Sequence, residues 1–142
     1  MAFSFSKHSL KRLEGVHPKL VKLMEEAIKT SPHDFLISQG VRTDAEQYAL
    51  YQQGRSKPGR IVTHVDGRRK RSAHQKKIDG YGYAIDFALV VDGVVDWVDI
   101  PKYKEIGEHI VALGRKRGIP VVWGGNWSRF KDYPHIELVR GD

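Results

Sequence analysis

The sequence contains no cysteine, and this absence narrows the kinds of site that it can form. Its 142 residues include seven histidines and 17 acidic residues but no thiol group. Disulfide bonds and thiolate zinc sites are therefore excluded. Any zinc ion has to be bound by imidazole and carboxylate groups, which are the other common protein ligands of this metal.

A long apolar segment is also absent. Hydrophobic residues make up 40% of the chain, but none of their runs approaches the roughly 18 residues that a membrane span requires. The N-terminal stretch MAFSFSKHSLKRLE lacks the apolar region of a signal peptide. We therefore expect a protein without a membrane span that is made in a cytoplasm and is not exported on its own signal.

Internal repeats and flexible linkers are missing as well. No segment rich in glycine, serine and proline divides the chain, and its 142 residues fit the length of a typical domain, about 100–150 residues. We predict one domain over residues 1–142.

Hydrophobic periodicity predicts a mixture of helices and strands. The predicted helices have apolar residues at helical spacing and span 18 to about 30–32, 45–53 and 99–117. Asp44 is the predicted N-cap of the second helix, and Gly118 ends the third. The predicted strands are short apolar runs at 34–40, 84–91, 94–97, 119–123 and 135–139. Because helices and strands do not alternate regularly, we predict the α+β class.

Residues 54–82 are polar and interrupted by glycine and proline, and they include the basic run Arg68–Arg71. Long segments without regular structure are uncommon in a domain unless they have a function. We therefore predict a long functional loop here.

Three residues near predicted strand ends form a candidate metal site. His74 lies in the long loop, Asp86 lies within an apolar strand, and His135 begins the last strand. A buried carboxylate without a partner is costly and therefore requires a cation or several donors. Two imidazoles and one carboxylate form a known catalytic zinc set that leaves a fourth position for water, and the ion makes that water acidic near neutral pH. The residues alone leave open that the histidines are ordinary surface or core residues and that Asp86 pairs with an arginine.

Two further residues are candidates for catalysis. Asp132 lies three residues before His135, so one segment can supply both a metal ligand and a general base. Pro134 stiffens the link between them. Arg42, which follows the strand ending at Gly40, is the candidate for stabilising negative charge on the substrate carbonyl. A simple turn role for Asp132 remains the alternative.

Six sequence blocks occur in a characteristic order along nearly the whole chain. They are Phe-Ser-Lys-His-Ser near the start, Gln39-Gly-Val-Arg-Thr43, Ser72-Ala-His74, Gly82-Tyr-Ala-Ile-Asp86-Phe, Trp123-Gly-Gly-Asn-Trp127 and Asp132-Tyr-Pro-His135-Ile-Glu-Leu138. In these blocks the chain resembles the zinc D-Ala-D-Ala carboxypeptidase family and, within it, the small phage L-alanyl-D-glutamate endopeptidases. The resemblance implies a hedgehog/DD-peptidase-like fold, in which a small antiparallel sheet packs with helices.

The same resemblance implies roles for individual residues. One zinc ion would be bound by His74, Asp86 and His135. Asp132 would be the general base and would pass the proton to the leaving amine, and Arg42 would hold or polarise the substrate carbonyl. The implied substrate-binding residues are Ser72, Gln39, Trp123 and Trp127, although the two tryptophans could equally be core aromatics.

Two departures from the family pattern bear on the site. Eleven residues separate His74 from Asp86, where the family usually has six. If the extra residues around 76–80 bulge as a loop, the ligands still meet, because a longer loop adds little closure entropy. Otherwise His64 is the alternative ligand, and Asp79 is a less favoured intruding carboxylate. Asn126 stands where relatives often have aspartate.

We therefore predict a phage endolysin that hydrolyses the L-Ala–D-Glu bond of the peptidoglycan stem peptide through metal-activated water. A D-Ala-D-Ala carboxypeptidase is the close alternative, and a zinc-binding member of the fold without catalysis is disfavoured by the presence of Asp132. The net charge of +7 favours an anionic partner, and we expect this to be the cell-wall surface. A nucleic-acid-binding protein is the other interpretation of the basic runs, but they are dispersed and match no binding motif.

The remaining expectations concern the protein as a whole. We expect a monomer with peptidoglycan as its partner and with no specific nucleic acid. We also expect it to remain in the host cytoplasm until the inner membrane is breached and then to act on the wall.

Overall fold

One antiparallel sheet of five strands carries the site, and helices pack against it. The structure is a computed structural model and describes residues 2–139; Met1 and residues 140–142, which the predicted domain also includes, lie outside the described residues. The strands are β1 (Phe35–Gln39), β2 (Ala84–Val91), β3 (Val94–Asp96), β4 (Val121–Trp123) and β5 (His135–Leu138). The helices are α1 (Lys7–Arg12), α2 (Pro18–Thr30), α3 (Asp44–Gln52) and α4 (Ile100–Arg117), with a 3₁₀ turn at Gly124–Asn126. The predicted α+β class is confirmed.

Strand β2 is the centre of the sheet. The strand order is β1-β2-β5-β4, and β3 pairs with the far end of β2. The register places Asp86 of β2 opposite Gln39 of β1 on one side and opposite His135 of β5 on the other. Residues directly opposite each other in an antiparallel pair have neighbouring side chains. The sheet therefore brings together residues that lie 49 positions apart in the chain.

Helices α2 and α4 bury their apolar faces in the same core as β2. The buried residues of α2 recur at helical spacing and are Leu20, Leu23, Met24, Ala27 and Ile28. Those of α4 include Tyr103, Ile106 and Ile110. This core holds β2 in place. Asp86, which lies near the start of β2, is therefore positioned by the sheet and its core.

The boundaries of α3 and α4 agree with the prediction to within one residue, and the N-cap of α3 differs. Thr43, and not Asp44, is the N-cap of α3: its hydroxyl accepts from the Glu46 N–H at 3.0 Å, and the Glu46 carboxylate accepts from the Thr43 N–H at 3.0 Å. This reciprocal capping box satisfies two free backbone donors. Gly118 ends α4 in the left-handed conformation at φ 70°, as the sequence predicts.

The segment from residue 54 to residue 82 contains no helix or strand, as predicted, but it is tied to the rest of the molecule. Gln47 of α3 is fully buried and donates from Nε2 to the Val65 carbonyl at 2.7 Å. Asp66 Oδ1 accepts from the backbone N–H groups of Arg68, Arg69 and Lys70 at 2.9, 2.9 and 3.2 Å. The Gln47 bond holds the loop against α3, and the three bonds to Asp66 close a turn within the loop. No helix among residues 2–139 is both long and apolar enough to cross a membrane.

Gly107 of α4 permits close packing of Trp123, and we expect its replacement by alanine to destabilise the fold. A Cβ at this position would lie 2.5 Å from the indole ring. Overpacking of this kind typically costs about 1–3 kcal/mol, which exceeds the gain of up to about 1 kcal/mol from the better helix propensity of alanine. Urea denaturation should therefore show a lower free energy of unfolding for Gly107→Ala. Ala112→Gly, at an exposed position of α4, measures the propensity contribution alone, and an unchanged or increased stability of Gly107→Ala would contradict the packing argument.

Candidate metal centre

Asp86 lies between two histidines at the start of β2. Its Oδ1 atom is 3.3 Å from His74 Nε2 and 3.3 Å from His135 Nδ1. The three side chains each offer one ligand atom, and these atoms all lie within 4.8 Å of one another. Among the described residues, this is the one group of histidine and carboxylate side chains with that geometry. The structure thus brings together the three residues predicted as metal ligands.

His74 reaches this position because the chain around it is paired on both sides. The Tyr83 N–H donates to the Ala73 carbonyl at 2.8 Å, and the Arg42 N–H donates to the His74 carbonyl at 2.9 Å. The extra residues around 76–80 form a closed turn, in which the Lys77 N–H donates to the Tyr81 carbonyl at 2.9 Å. The insertion therefore bulges outward, and the ligands meet without it.

The two alternative ligands lie elsewhere. The His64 ring packs against Phe130, with the ring centroids 4.8 Å apart, and His64 is outside the cluster of ligand atoms. The Asp79 carboxylate accepts from the Tyr81 N–H at 3.0 Å and from the Tyr83 hydroxyl. Neither residue enters the group formed by His74, Asp86 and His135.

A hydrogen bond on the far nitrogen fixes the orientation of His74. Its Nδ1 atom is 2.8 Å from the Gly40 carbonyl oxygen, which can only accept, so Nδ1 carries the proton and Nε2 presents its lone pair. This side chain is 2% exposed, and Nε2 is a buried atom without a hydrogen-bond partner, since its approach to Asp86 lacks hydrogen-bond alignment. An unsatisfied buried nitrogen that points at a carboxylate and a second imidazole fits a metal ion.

His135 is oriented by two carboxylates. Its Nδ1 atom faces Asp86, and its Nε2 atom is 2.9 Å from Glu137 Oε1. Burial lowers the pKa of this imidazole, but the hydrogen bonds to Asp86 and Glu137 outweigh burial and raise the pKa to about 9. Burial likewise raises the pKa of Asp86, but the hydrogen bond with His135 and the proximity of His74 hold that pKa well below its usual range. The Asp86 carboxylate is therefore ionised.

Arg42 approaches the other oxygen of Asp86. Its Nη2 atom is 3.6 Å from Asp86 Oδ2 and also donates to Gln39 Oε1, and its Nη1 atom donates to Gln47 Oε1 at 3.0 Å. Burial lowers the pKa of the guanidinium, against the opposing effect of Asp86, but an arginine remains charged in proteins. The alternative that Asp86 pairs with an arginine thus holds for one of its oxygens, while the other faces the histidines.

Asp132 enters the site from the segment before β5. Its backbone N–H donates to the Gly124 carbonyl at 3.1 Å, and its carbonyl accepts from the His135 N–H at 3.2 Å. Burial raises the pKa of its carboxyl group, and the negative charge of Asp86 raises it further, while the two histidines and Arg42 oppose both effects. Asp132 therefore opens the turn before β5, and the charges of Asp86, Arg42 and the two histidines act on its carboxyl group.

The predicted substrate-binding residues occupy different positions. The Trp127 ring lies 5.0 Å from the His135 ring between centroids, so it forms part of the site wall. Trp123 is 2% exposed and belongs to the core, and its Nε1 atom donates to the Tyr133 carbonyl at 2.6 Å. This placement favours the core alternative for Trp123, which anchors the segment carrying Asp132. The Ser72 hydroxyl accepts from the His74 N–H at 3.2 Å.

Sequence reasoning did not single out Glu137, whose carboxylate contacts His135. His135 and Glu137 are two positions apart on β5, and side chains at that spacing point to the same face of a strand. The alternation of side chains along β5 could therefore have indicated that Glu137 lies beside His135. It becomes informative only once His135 is known to face Asp86 and not the opposite side of the sheet.

Comparison with known proteins identifies the family of this chain. The model of a family described as phage L-alanyl-D-glutamate peptidase matches residues 1–139. The chain belongs to this family. It is therefore a peptidase, and the predicted resemblance is confirmed.

Individual relatives match over most of their length. The peptidoglycan L-alanyl-D-glutamate endopeptidase CwlK of Bacillus subtilis (strain 168) is 38% identical over 133 residues, which cover 87% of this chain and 74% of CwlK. The L-alanyl-D-glutamate peptidase of Escherichia phage T5 is 34% identical over 141 residues, with 99% and 93% coverage. The crystal structure of the L-Ala D-Glu endopeptidase ChiX of Serratia marcescens superposes with a TM-score of 0.78 at 31% identity, and the match covers 96% of this chain and 90% of ChiX.

Proposed function

We propose that this peptidase is a zinc-dependent endolysin that hydrolyses the L-Ala–D-Glu bond of the peptidoglycan stem peptide. One observation carries the metal part of this proposal: Nε2 of His74 is buried and has no hydrogen-bond partner, beside Asp86 and His135. The family to which the chain belongs, and the relatives named above, support the scissile bond.

His74, Asp86 and His135 would hold the ion. Two imidazoles and one carboxylate match the donor set of catalytic zinc sites, and the sequence offers no thiolate that would favour a structural site. When bound, zinc supplies a Lewis acid and lowers the pKa of a water molecule in the site.

Asp132 would act as the general base and Arg42 as the group that stabilises the substrate carbonyl. Because burial and Asp86 raise its pKa, the Asp132 carboxylate takes a proton more readily than an exposed aspartate, and it can then return this proton to the leaving amine. Arg42 is held by Gln39 and Gln47, so its charge is preorganised for a developing oxyanion.

Trp127 and Gln39 would contribute to substrate binding, with Ser72 close to the first ligand. Gln39 lines a cavity of about 380 Å³ along α3, whose other lining residues include Leu50 and Lys57. A stem peptide that passes Arg42 would meet this cavity next. Lys57 supplies a positive charge there for one of the peptide carboxylates.

The basic surface would hold the enzyme on an anionic cell wall. Several of the basic residues are already engaged in local contacts: Arg71 pairs with Asp44 at 2.9 Å, and Arg68 lies over the Tyr48 ring at 3.7 Å. Because of these contacts the basic run is part of the folded loop. This favours attraction to the wall through net charge, and it disfavours a dedicated nucleic-acid-binding groove.

We further propose a single-domain monomer that stays in the host cytoplasm until the membrane is breached.

Mass spectrometry of digested, purified peptidoglycan tests this function. We expect new N-terminal D-Glu on the stem peptides, loss of this product after treatment with a chelator, and its return on addition of zinc. Release of terminal D-Ala instead would assign the D-Ala-D-Ala carboxypeptidase activity. Full activity in metal-free protein would refute the metal-dependent mechanism.

A further inference from the structure

Glu137 lies immediately behind one of the candidate metal ligands. The two residues share a face of β5, and Glu137 Oε1 is 2.9 Å from His135 Nε2. The Glu137 side chain is 36% exposed, whereas that of His135 is 7% exposed, so the carboxylate connects a buried ring to the surface. We propose that Glu137 is a positioning residue that holds His135 with Nδ1 directed to the metal, an inference that rests on the proposed zinc site.

The chemistry of the two groups determines which nitrogen is available. An ionised carboxylate only accepts hydrogen bonds, so Glu137 keeps a proton on Nε2 of His135. The proton on Nδ1 is the one that has to leave when a metal binds there. Glu137 therefore selects Nδ1 as the ligand atom, and a carboxylate behind a histidine ligand also raises the basicity of the ring.

The two histidines differ in how they are held. A backbone carbonyl, that of Gly40, orients His74, whereas a side chain orients His135. Trp127 packs beside the His135 ring at 5.0 Å but offers no acceptor directed at Nε2. Loss of the Glu137 carboxylate would thus leave the ring in place but without the partner that sets its orientation.

Zinc affinity of purified protein, measured by competition with a chromogenic chelator, tests this role. We expect Glu137→Ala to bind zinc about 10–100-fold more weakly than the wild type, the usual effect of removing such a partner. Glu137→Gln retains an acceptor oxygen, so its zinc affinity should lie closer to that of the wild type. In the zinc-loaded wild type, the Nε2 proton of His135 should give a protected NMR signal that is lost in Glu137→Ala.

Glu25→Ala is the matched control, because Glu25 is exposed on α2 away from the site; its zinc affinity should equal that of the wild type. Wild-type affinity in Glu137→Ala, or equal losses in the alanine and glutamine variants, would overturn the positioning role while leaving the proposed function intact. A wild-type protein that binds no zinc would instead refute the proposed metal site itself.

Discussion

Replacement of His135 by alanine is expected to abolish both zinc binding and peptidoglycan hydrolysis. The variant loses one of three ligands, and the remaining His74 and Asp86 leave a set too small for a stable catalytic site. A metal ion contributes several kcal/mol of transition-state stabilisation, which corresponds to a fall in rate of about 10³-fold or more. Zinc content by atomic absorption and the rate of wall clearing measure the two effects.

His64→Ala is the matched control for this variant. His64 lies against Phe130 and outside the ligand cluster, so its removal should leave zinc content and rate near those of the wild type. Retention of stoichiometric zinc by His135→Ala would exclude His135 as a ligand, and loss of zinc from His64→Ala would make His64 a ligand.

The position of Asp86 shows how far the sequence could predict the site. The apolar run around it indicates a strand, and a carboxylate inside such a run requires a partner. Its neighbours Gln39 and His135 follow from the register of two strand pairings that are far apart in sequence. A slip of one residue would turn every side chain to the other face, so spacing alone could not determine that these groups meet.

The N-cap of α3 and the short helix α1 were also not predicted correctly from the sequence. Thr43 and Asp44 are both good N-cap residue types, and the prediction chose Asp44. The glutamate at position 46 favours Thr43, because a capping box places the acid three residues after the cap. Helix α1 was not predicted, since its six residues are too few for a clear period. A tertiary contact supports it: the Ser9 hydroxyl accepts from the Ile37 N–H of β1 at 3.1 Å.

The insertion after His74 could not be placed from sequence because the outcome depends on backbone pairing at its base. The bond from the Tyr83 N–H to the Ala73 carbonyl closes the bulge, and neither residue type signals this contact. With this pairing in place His74 lies beside Asp86, whereas His64 lies against Phe130.

Replacement of Asp132 by asparagine is expected to separate catalysis from metal binding. The side chain keeps its size but can no longer accept a proton, and loss of a general base typically lowers kcat by about 10²–10⁴-fold. Asp132 is outside the group of ligand atoms, so zinc should remain bound with wild-type stoichiometry. Single-turnover hydrolysis of a stem-peptide substrate and zinc content of the same sample measure the two quantities together.

Asp92→Asn makes the same chemical change where it should have no effect. Asp92 lies in the turn between β2 and β3 at φ 51°, a conformation that asparagine adopts readily. Full zinc content with a large loss of kcat in Asp132→Asn alone is the signature of a base. If Asp132→Asn loses zinc as completely as His135→Ala does, the carboxylate is itself a ligand, and the base has to be sought among the other groups around Arg42.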